Sequence, residues 1–297
     1  MRWTPGNSDD NLEDRRGESG GGGGGFPGGG GGIKLGLGGT VIVLILGLVF
    51  GKDFTSILGS DGGDPTTASG NEAPQAARAT GPIQSSAAED KLVDFVKFLH
   101  NDTQETWRQI FASSGKPYRV AKLVLFRDAT ESACGFAQAA TGPFYCPGDE
   151  KVYIDLGFYD ELKNRFGAPG DFAQAYVLAH EFGHHVQKLL GTEAEMRRAQ
   201  QQHPDQQNAL SVKMELQADC YAGVWAFSAQ QRNHIEPGDV EQGLAAAASV
   251  GDDRLQRMAR GRVNPESFTH GTSAQRVEWF KRGLSRGSTS DCNTFGS

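Results

Sequence analysis

His180-Glu181-Phe182-Gly183-His184 reads H-E-x-x-H, and Glu215-Leu216-Gln217-Ala218-Asp219 reads E-x-x-x-D. On a helix, residues four apart project from one face. His180 and His184 can therefore direct two imidazole nitrogens at a single metal ion. Glu181, one step round the helix, is close enough to hold a water on that ion. Glu215 offers a carboxylate as third ligand. Asp219, one turn later, is placed to accept the free ring N–H of a ligating histidine. Three protein ligands and an open fourth position describe a hydrolytic zinc site, not a closed structural one. The expected cofactor is one Zn2+ per chain, although a ligand set of two histidines and a carboxylate accepts other divalent metals.

This geometry requires both motifs to lie on helices. Residues 171–179 carry Phe172, Ala175, Tyr176 and Leu178-Ala179 at helical spacing, with Asp171 as the expected N-cap after Gly170. The helix is expected to run from about 171 to 190, and the second motif falls in a helical pattern from about 207 to 229. His185 points about 100° away from His184 and is not expected to ligate the same ion. His100, His203 and His234 have no ligand spacing and read as ordinary surface residues.

Upstream, Leu92, Phe95-Val96, Leu99, Trp107 and Ile110-Phe111 mark a helix over about 88–111. Val120–Phe126, Phe144-Tyr145 and Val152–Asp155 are strand candidates, with Pro147-Gly148-Asp149 as the turn between the last two. A short helix is expected over 158–166 and a polar connection over 192–208. One helix is expected over 240–258, and a last one from Thr272-Ser273. The order predicts an α+β domain, mostly helical with a small sheet. Either 142–146 or 152–155 could serve as the edge strand that holds an extended substrate.

Composition divides the chain. Residues 1–32 hold almost no hydrophobics and a near-continuous glycine tract, so a disordered Gly-rich tail is expected there. Leu35–Gly51 is uncharged and apolar, at the short end for a membrane span. It is read as a single transmembrane anchor over 33–51; a cleaved signal region is the alternative. Residues 52–87 are expected to be a flexible linker, and 88–297 the folded domain. Arg15, Arg16 and Lys34 precede the apolar run and Lys52 follows it. This predicts a cytoplasmic N-terminus and an extracytoplasmic, periplasmic catalytic domain. The net charge of −7 and pI of about 5.5 argue against nucleic acid as a partner.

Four cysteines fit an oxidising compartment. Cys134 and Cys146 have a spacing suited to closing a hairpin, which leaves Cys220 and Cys292 as the second pair. Four cysteines permit three connectivities, and a second zinc site is the alternative, although no C-x-x-C occurs.

H-E-F-G-H with E-L-Q-A-D resembles the gluzincin metallopeptidases, whose third zinc ligand is the Glu of E-x-x-x-D. More narrowly, the whole chain is similar to the neutral zinc metallopeptidases of bacteria. Met1-Arg2-Trp3, Asn11–Gly17, the glycine tract and the single apolar segment carry that resemblance. So do Cys134-Gly135, Gly142–Pro147, Val152–Asp155 and Thr269–Arg276. The resemblance implies a zincin-like domain with zinc on His180, His184 and Glu215. It also implies Glu181 as general base and a peptide or protein substrate.

The Thr269–Arg276 segment also resembles membrane-associated gluzincins that carry His-Pro near a downstream Arg. Here Gly271 stands in place of the Pro. That resemblance suggests His270 as the donor to a tetrahedral oxyanion; a helix-capping or structural histidine is the alternative. Two other functional readings stay open at this level. One is a zinc-binding envelope scaffold or chaperone without turnover, against which the intact Glu181 argues. The other is an amidase acting on cell-wall fragments.

Overall fold

The computed structural model describes residues 1–5, 11–18, 83, 85–138 and 142–296. Ser86 opens the first helix, α1 (Ala87–Ser113), by accepting a hydrogen bond from the Glu89 amide, with Glu89 and Asp90 in the first turn. Its apolar stripe buries Val93, Val96, Leu99 and Trp107. The strands are β1 (Leu12–Asp14), β2 (Lys122–Phe126), β3 (Ala129–Ser132), β4 (Gly135–Gln138), β5 (Phe144–Cys146) and β6 (Lys151–Asp155). Four form one mixed sheet in the order β1-β2-β6-β5, while β3 and β4 make a separate hairpin. β2 runs parallel to β1 and β6, and β5 is antiparallel to β6. Both faces of β2 are buried. Leu123 and Leu125 join the main core, and Val124 and Phe126 join a second cluster with Phe144 and Tyr153.

Helices follow: α2 (Gly157–Asn164), α3 (Asp171–Leu190), α4 (Thr192–Gln202), α5 (Gln207–Gln231), α6 (Asp239–Ser249), α7 (Asp252–Arg260) and α8 (Ser273–Arg286). The expected α+β architecture, mostly helical with a small sheet, is what the chain forms. α3 packs between α5, α6 and α1 as the centre of the core. α5 and α8 touch backbone to backbone at two glycines. A Cβ on Gly223 would lie 2.2 Å from the Phe280 carbonyl oxygen, and one on Gly283 would lie 1.9 Å from that of Cys220.

Several expectations are corrected. The N-cap of α3 is Gly170, with Asp171 already helical; Gln242 of α6 accepts from the Phe172 amide at 3.3 Å. Residues 192–208 are mainly helical, as α4 and a 3-10 turn at Pro204–Gln206. The helix expected over 240–258 breaks at Gly251, where a Cβ would lie 2.3 Å from the Ser273 amide nitrogen. His100 is fully buried, 3.0 Å from the Ala121 carbonyl, and is not a surface residue.

The largest correction concerns the N-terminus. Residues 1–5 and 11–18 are not a disordered tail but part of the folded domain. β1 pairs with β2 in the register Leu12↔Leu123, Glu13↔Val124, Asp14↔Leu125. Trp3 packs on Phe95, with ring centroids 5.2 Å apart. Lys151 donates to both Glu13 oxygens at 2.8 and 2.9 Å, and Arg16 bridges Asp14 and Glu89. Backbone pairing and ion pairs hold this segment together with the apolar contacts of Met1, Trp3 and Leu12, and the first two do not register in a count of apolar residues.

The remainder of 1–32, the 33–51 run and nearly all of 52–87 lie outside the described residues. No helix among the described residues is long and apolar enough to cross a membrane. The docking of β1 bears on topology all the same. Chain on both sides of the apolar run belongs to one folded body, so a single span with the N-terminus opposite the domain does not fit that pairing.

Candidate metal centre

α3 and α5 carry the site. His180, His184 and Glu215 each offer a ligand atom, and these atoms all lie within 4.8 Å of one another. His180 Nε2 is 3.1 Å from Glu215 Oε2, and His184 Nε2 is 3.5 Å from Glu215 Oε1. The two helices come this close because Gly183, inside the first motif, lies against Ala218, inside the second.

Both ring orientations are fixed from behind. His180 Nδ1 is 2.9 Å from Asp219 Oδ1, the partner expected from the sequence. Asp219 is fully buried and also accepts from Tyr176 Oη at 2.5 Å and from Arg276 Nε and Nη2 at 2.8 and 2.9 Å. His184 Nδ1 is 2.9 Å from Gln187 Oε1. Gln187 and Tyr176 were not singled out by the sequence. Their spacing could have found them: Gln187 is three residues after His184, and Tyr176 four before His180, each on its histidine's face of the helix.

The charges are consistent with this geometry. Burial disfavours an imidazolium at His180, but Asp219 and Glu215 outweigh it and push its pKa up to about 9 in the metal-free protein. Burial and the neighbouring His180 charge leave His184 below its usual value. Burial raises Glu215, but His184, His270 and His180 together hold it well below the ordinary carboxylate range. His180 Nε2 and His184 Nε2 both face oxygens of Glu215, and imidazole nitrogens with a carboxylate are a donor set that suits a divalent metal, so these residues fit one.

Glu181 is buried, and its Oε2 has no hydrogen-bond partner among the described residues. Burial pushes its carboxyl up to about 7, partly opposed by His180 and by the backbone amide of Tyr145 on β5. An unpartnered, easily protonated carboxylate oxygen beside the ligand cluster has the properties of a general base. The cleft in front of it is lined by Tyr145, Glu181, His184, Met196, Met214 and Thr269. β6 lies inside the sheet and β5 at its edge, so among the described residues β5, and not β6, is the candidate strand with a free side.

His270 sits on a loop wrapped round Asp252 at the start of α7. One Asp252 oxygen accepts from the amides of Thr269, His270 and Gly271 at 2.7, 2.6 and 3.0 Å. His270 Nδ1 is 3.4 Å from the other oxygen. Burial opposes its charge, while Glu215 and Asp252 favour it and raise its pKa. His185 points elsewhere, to Tyr145 Oη and the Arg119 carbonyl at 3.0 and 2.7 Å. The cysteines pair as Cys134–Cys146 and Cys220–Cys292.

His180, Glu181 and His184 on α3 and Glu215 on α5 thus stand together as the resemblance to the gluzincins implies. Residues 1–295 match the family described as "Putative neutral zinc metallopeptidase", and the chain belongs to that family. It is 49% identical over 297 residues to "Uncharacterized protein YpfJ" of Escherichia coli (strain K12), covering 100% of this chain and 99% of that one. It is 43% identical over 206 residues to "Uncharacterized protein Rv2575" of Mycobacterium tuberculosis (strain ATCC 25618 / H37Rv), covering 66% of this chain and 68% of that one. No solved structure matches it significantly.

Proposed function

We propose that the chain is a zinc-dependent peptidase that hydrolyses peptide bonds with Glu181 as general base. The observation that carries this reading is the free, buried Oε2 of Glu181 beside the cluster of His180, His184 and Glu215. Those three residues would hold one zinc, which supplies a Lewis acid that acidifies water and polarises a carbonyl. Glu181 Oε2 takes a proton from the attacking water and returns it to the leaving amine. His270, steadied by Asp252, donates to the carbonyl oxygen as that atom becomes anionic. Asp219 and Arg276 keep His180 in place. An extended substrate lies along the free edge of β5 and is gripped through its backbone.

All four cysteines are paired, which supports an oxidising, extracytoplasmic location. The apolar run near 35–51 is the part of the chain suited to a bilayer, met from the side that holds the domain. The test is metal content together with cleavage of an unfolded protein, wild type beside Glu181→Gln. One zinc per chain in both proteins, with cleavage by the wild type only, is expected. Equal turnover by the two would refute the base assignment. Turnover on cell-wall fragments but not on unfolded protein would make the enzyme an amidase.

A further inference from the structure

His184 is connected to the C-terminal disulfide by an unbroken line of hydrogen bonds. Gln217 Nε2 donates to the Cys292 carbonyl at 3.0 Å. Gln217 Oε1 accepts from Gln187 Nε2 at 3.1 Å, and that nitrogen also donates to the Met214 carbonyl at 2.7 Å. Gln187 Oε1 is 2.9 Å from His184 Nδ1. Both amides are buried, Gln187 completely. Cys292 is itself bonded to Cys220, one residue past Asp219 on α5.

The direction of this line is fixed by chemistry. A backbone carbonyl only accepts, so the Gln217 nitrogen must face Cys292, and the Gln187 nitrogen must face Met214. Reversing either amide would set oxygen against oxygen in a dry interior. Gln187 therefore presents its oxygen to His184, and His184 must answer with Nδ1–H. The proton then resides on Nδ1, and the Nε2 lone pair is left facing Glu215.

We propose that Gln187 and Gln217 are positioning residues that fix the tautomer and ring orientation of His184, with the Cys220–Cys292 bridge anchoring the far end. The consequence for zinc affinity rests on the metal-site reading above; the tautomer itself does not. His180 is oriented by a carboxylate that α8 clamps. His184 is oriented by neutral amides that a crosslink clamps. The two ligands thus have independent supports, and only the second depends on the oxidised state of the chain.

The experiment is nitrogen NMR of the histidine side chains in the metal-free full-length protein, with zinc affinity measured by chelator competition. Wild-type His184 is expected as the Nδ1–H tautomer. Gln187→Met removes the acceptor and should mix the tautomers and weaken zinc by about 10–100-fold, the usual cost of losing such a partner. Gln187→Glu keeps the oxygen that faces His184 and should keep the tautomer, while its second oxygen, set against the Met214 carbonyl, should lower stability. Gln217→Met should weaken zinc by less, because Met214 still holds Gln187. Cys220→Ala/Cys292→Ala should weaken zinc to a similar extent, with little further loss when combined with Gln217→Met, since both cut the same line. An Nε2–H tautomer in the wild type overturns the proposal, as does a Gln187→Met protein with unaltered tautomer. A correct tautomer with no zinc bound by the wild type would instead refute the metal-site reading and leave the tautomer assignment standing.

Discussion

Gly183 of α3 lies directly against Ala218 of α5: a Cβ at Gly183 would stand 2.9 Å from both the Ala218 Cα and its carbonyl oxygen. Each residue sits inside one of the two motifs. Their contact sets the spacing of the helices, and so the distance from the histidines to Glu215. Gly183→Ala is expected to force α5 away and to destabilise the fold by about 1–3 kcal/mol, as overpacking does. Zinc affinity should fall with it, because the third ligand moves with α5. Thermal unfolding and chelator competition measure the two effects. A variant with wild-type zinc affinity would show that this glycine does not set the ligand distance.

Arg276 and Asp219 form a buried ion pair that also holds His180. Arg276→Met removes one partner and leaves a carboxylate in a dry interior, with only Tyr176 and His180 to answer it. Breaking a buried pair in this way costs about 3–5 kcal/mol. Urea unfolding of the metal-free protein should show most of that loss, since the pair exists without the metal. A change below about 1 kcal/mol would mean that water or rearrangement already compensates the carboxylate.

The ligand set was legible because H-E-x-x-H and E-x-x-x-D are local patterns, and a helix turns local spacing into a shared face. Of the disulfides, only Cys134–Cys146 was suggested by its separation along the chain; Cys220–Cys292, 72 residues apart, was the pair left over. What escaped depends on contacts remote in sequence. β1 is three residues long, too short to show a period, and its partner strand lies more than a hundred residues away. The break at Gly251 exists because Ser273 occupies the space a side chain would need. His100 looks like a surface histidine until Ala121 and Gln104 close over it. The support behind His184 was half legible: Gln187 lies on its helical face, but Gln217 and Cys292 arrive only through the fold.

The docking of β1 makes a prediction about topology. Residues 11–18 and the domain share one body, so tags at the two ends of the chain should be found on the same side of the membrane fraction. Protease protection of intact and permeabilised cells measures this. Tags on opposite sides would mean that β1 is not paired with β2 in the cell, and that the apolar run is a single span after all.

Acid should release this same segment. Burial alone would raise the Glu13 carboxyl, but Lys151, Arg15 and Lys122 outweigh it and bring it down to about 2, from an ordinary value of 4.5. Asp14 and Glu89, which share Arg16, are lowered as well. A carboxylate with a depressed folded value stabilises the fold fully above its unfolded value, and that stabilisation is lost as pH falls through the folded one. The window for Glu13 therefore runs from about 4.5 down to about 2. Glu13 is partly exposed, so solvent screening keeps the effect modest. Amide hydrogen exchange over 11–16, corrected for the intrinsic rate, should lose protection across that window while α3 and α5 keep theirs. Glu13→Gln should show reduced protection already at neutral pH and a flatter decline toward acid. A variant with the wild-type acid profile would assign the pH dependence to Asp14 and Glu89 instead.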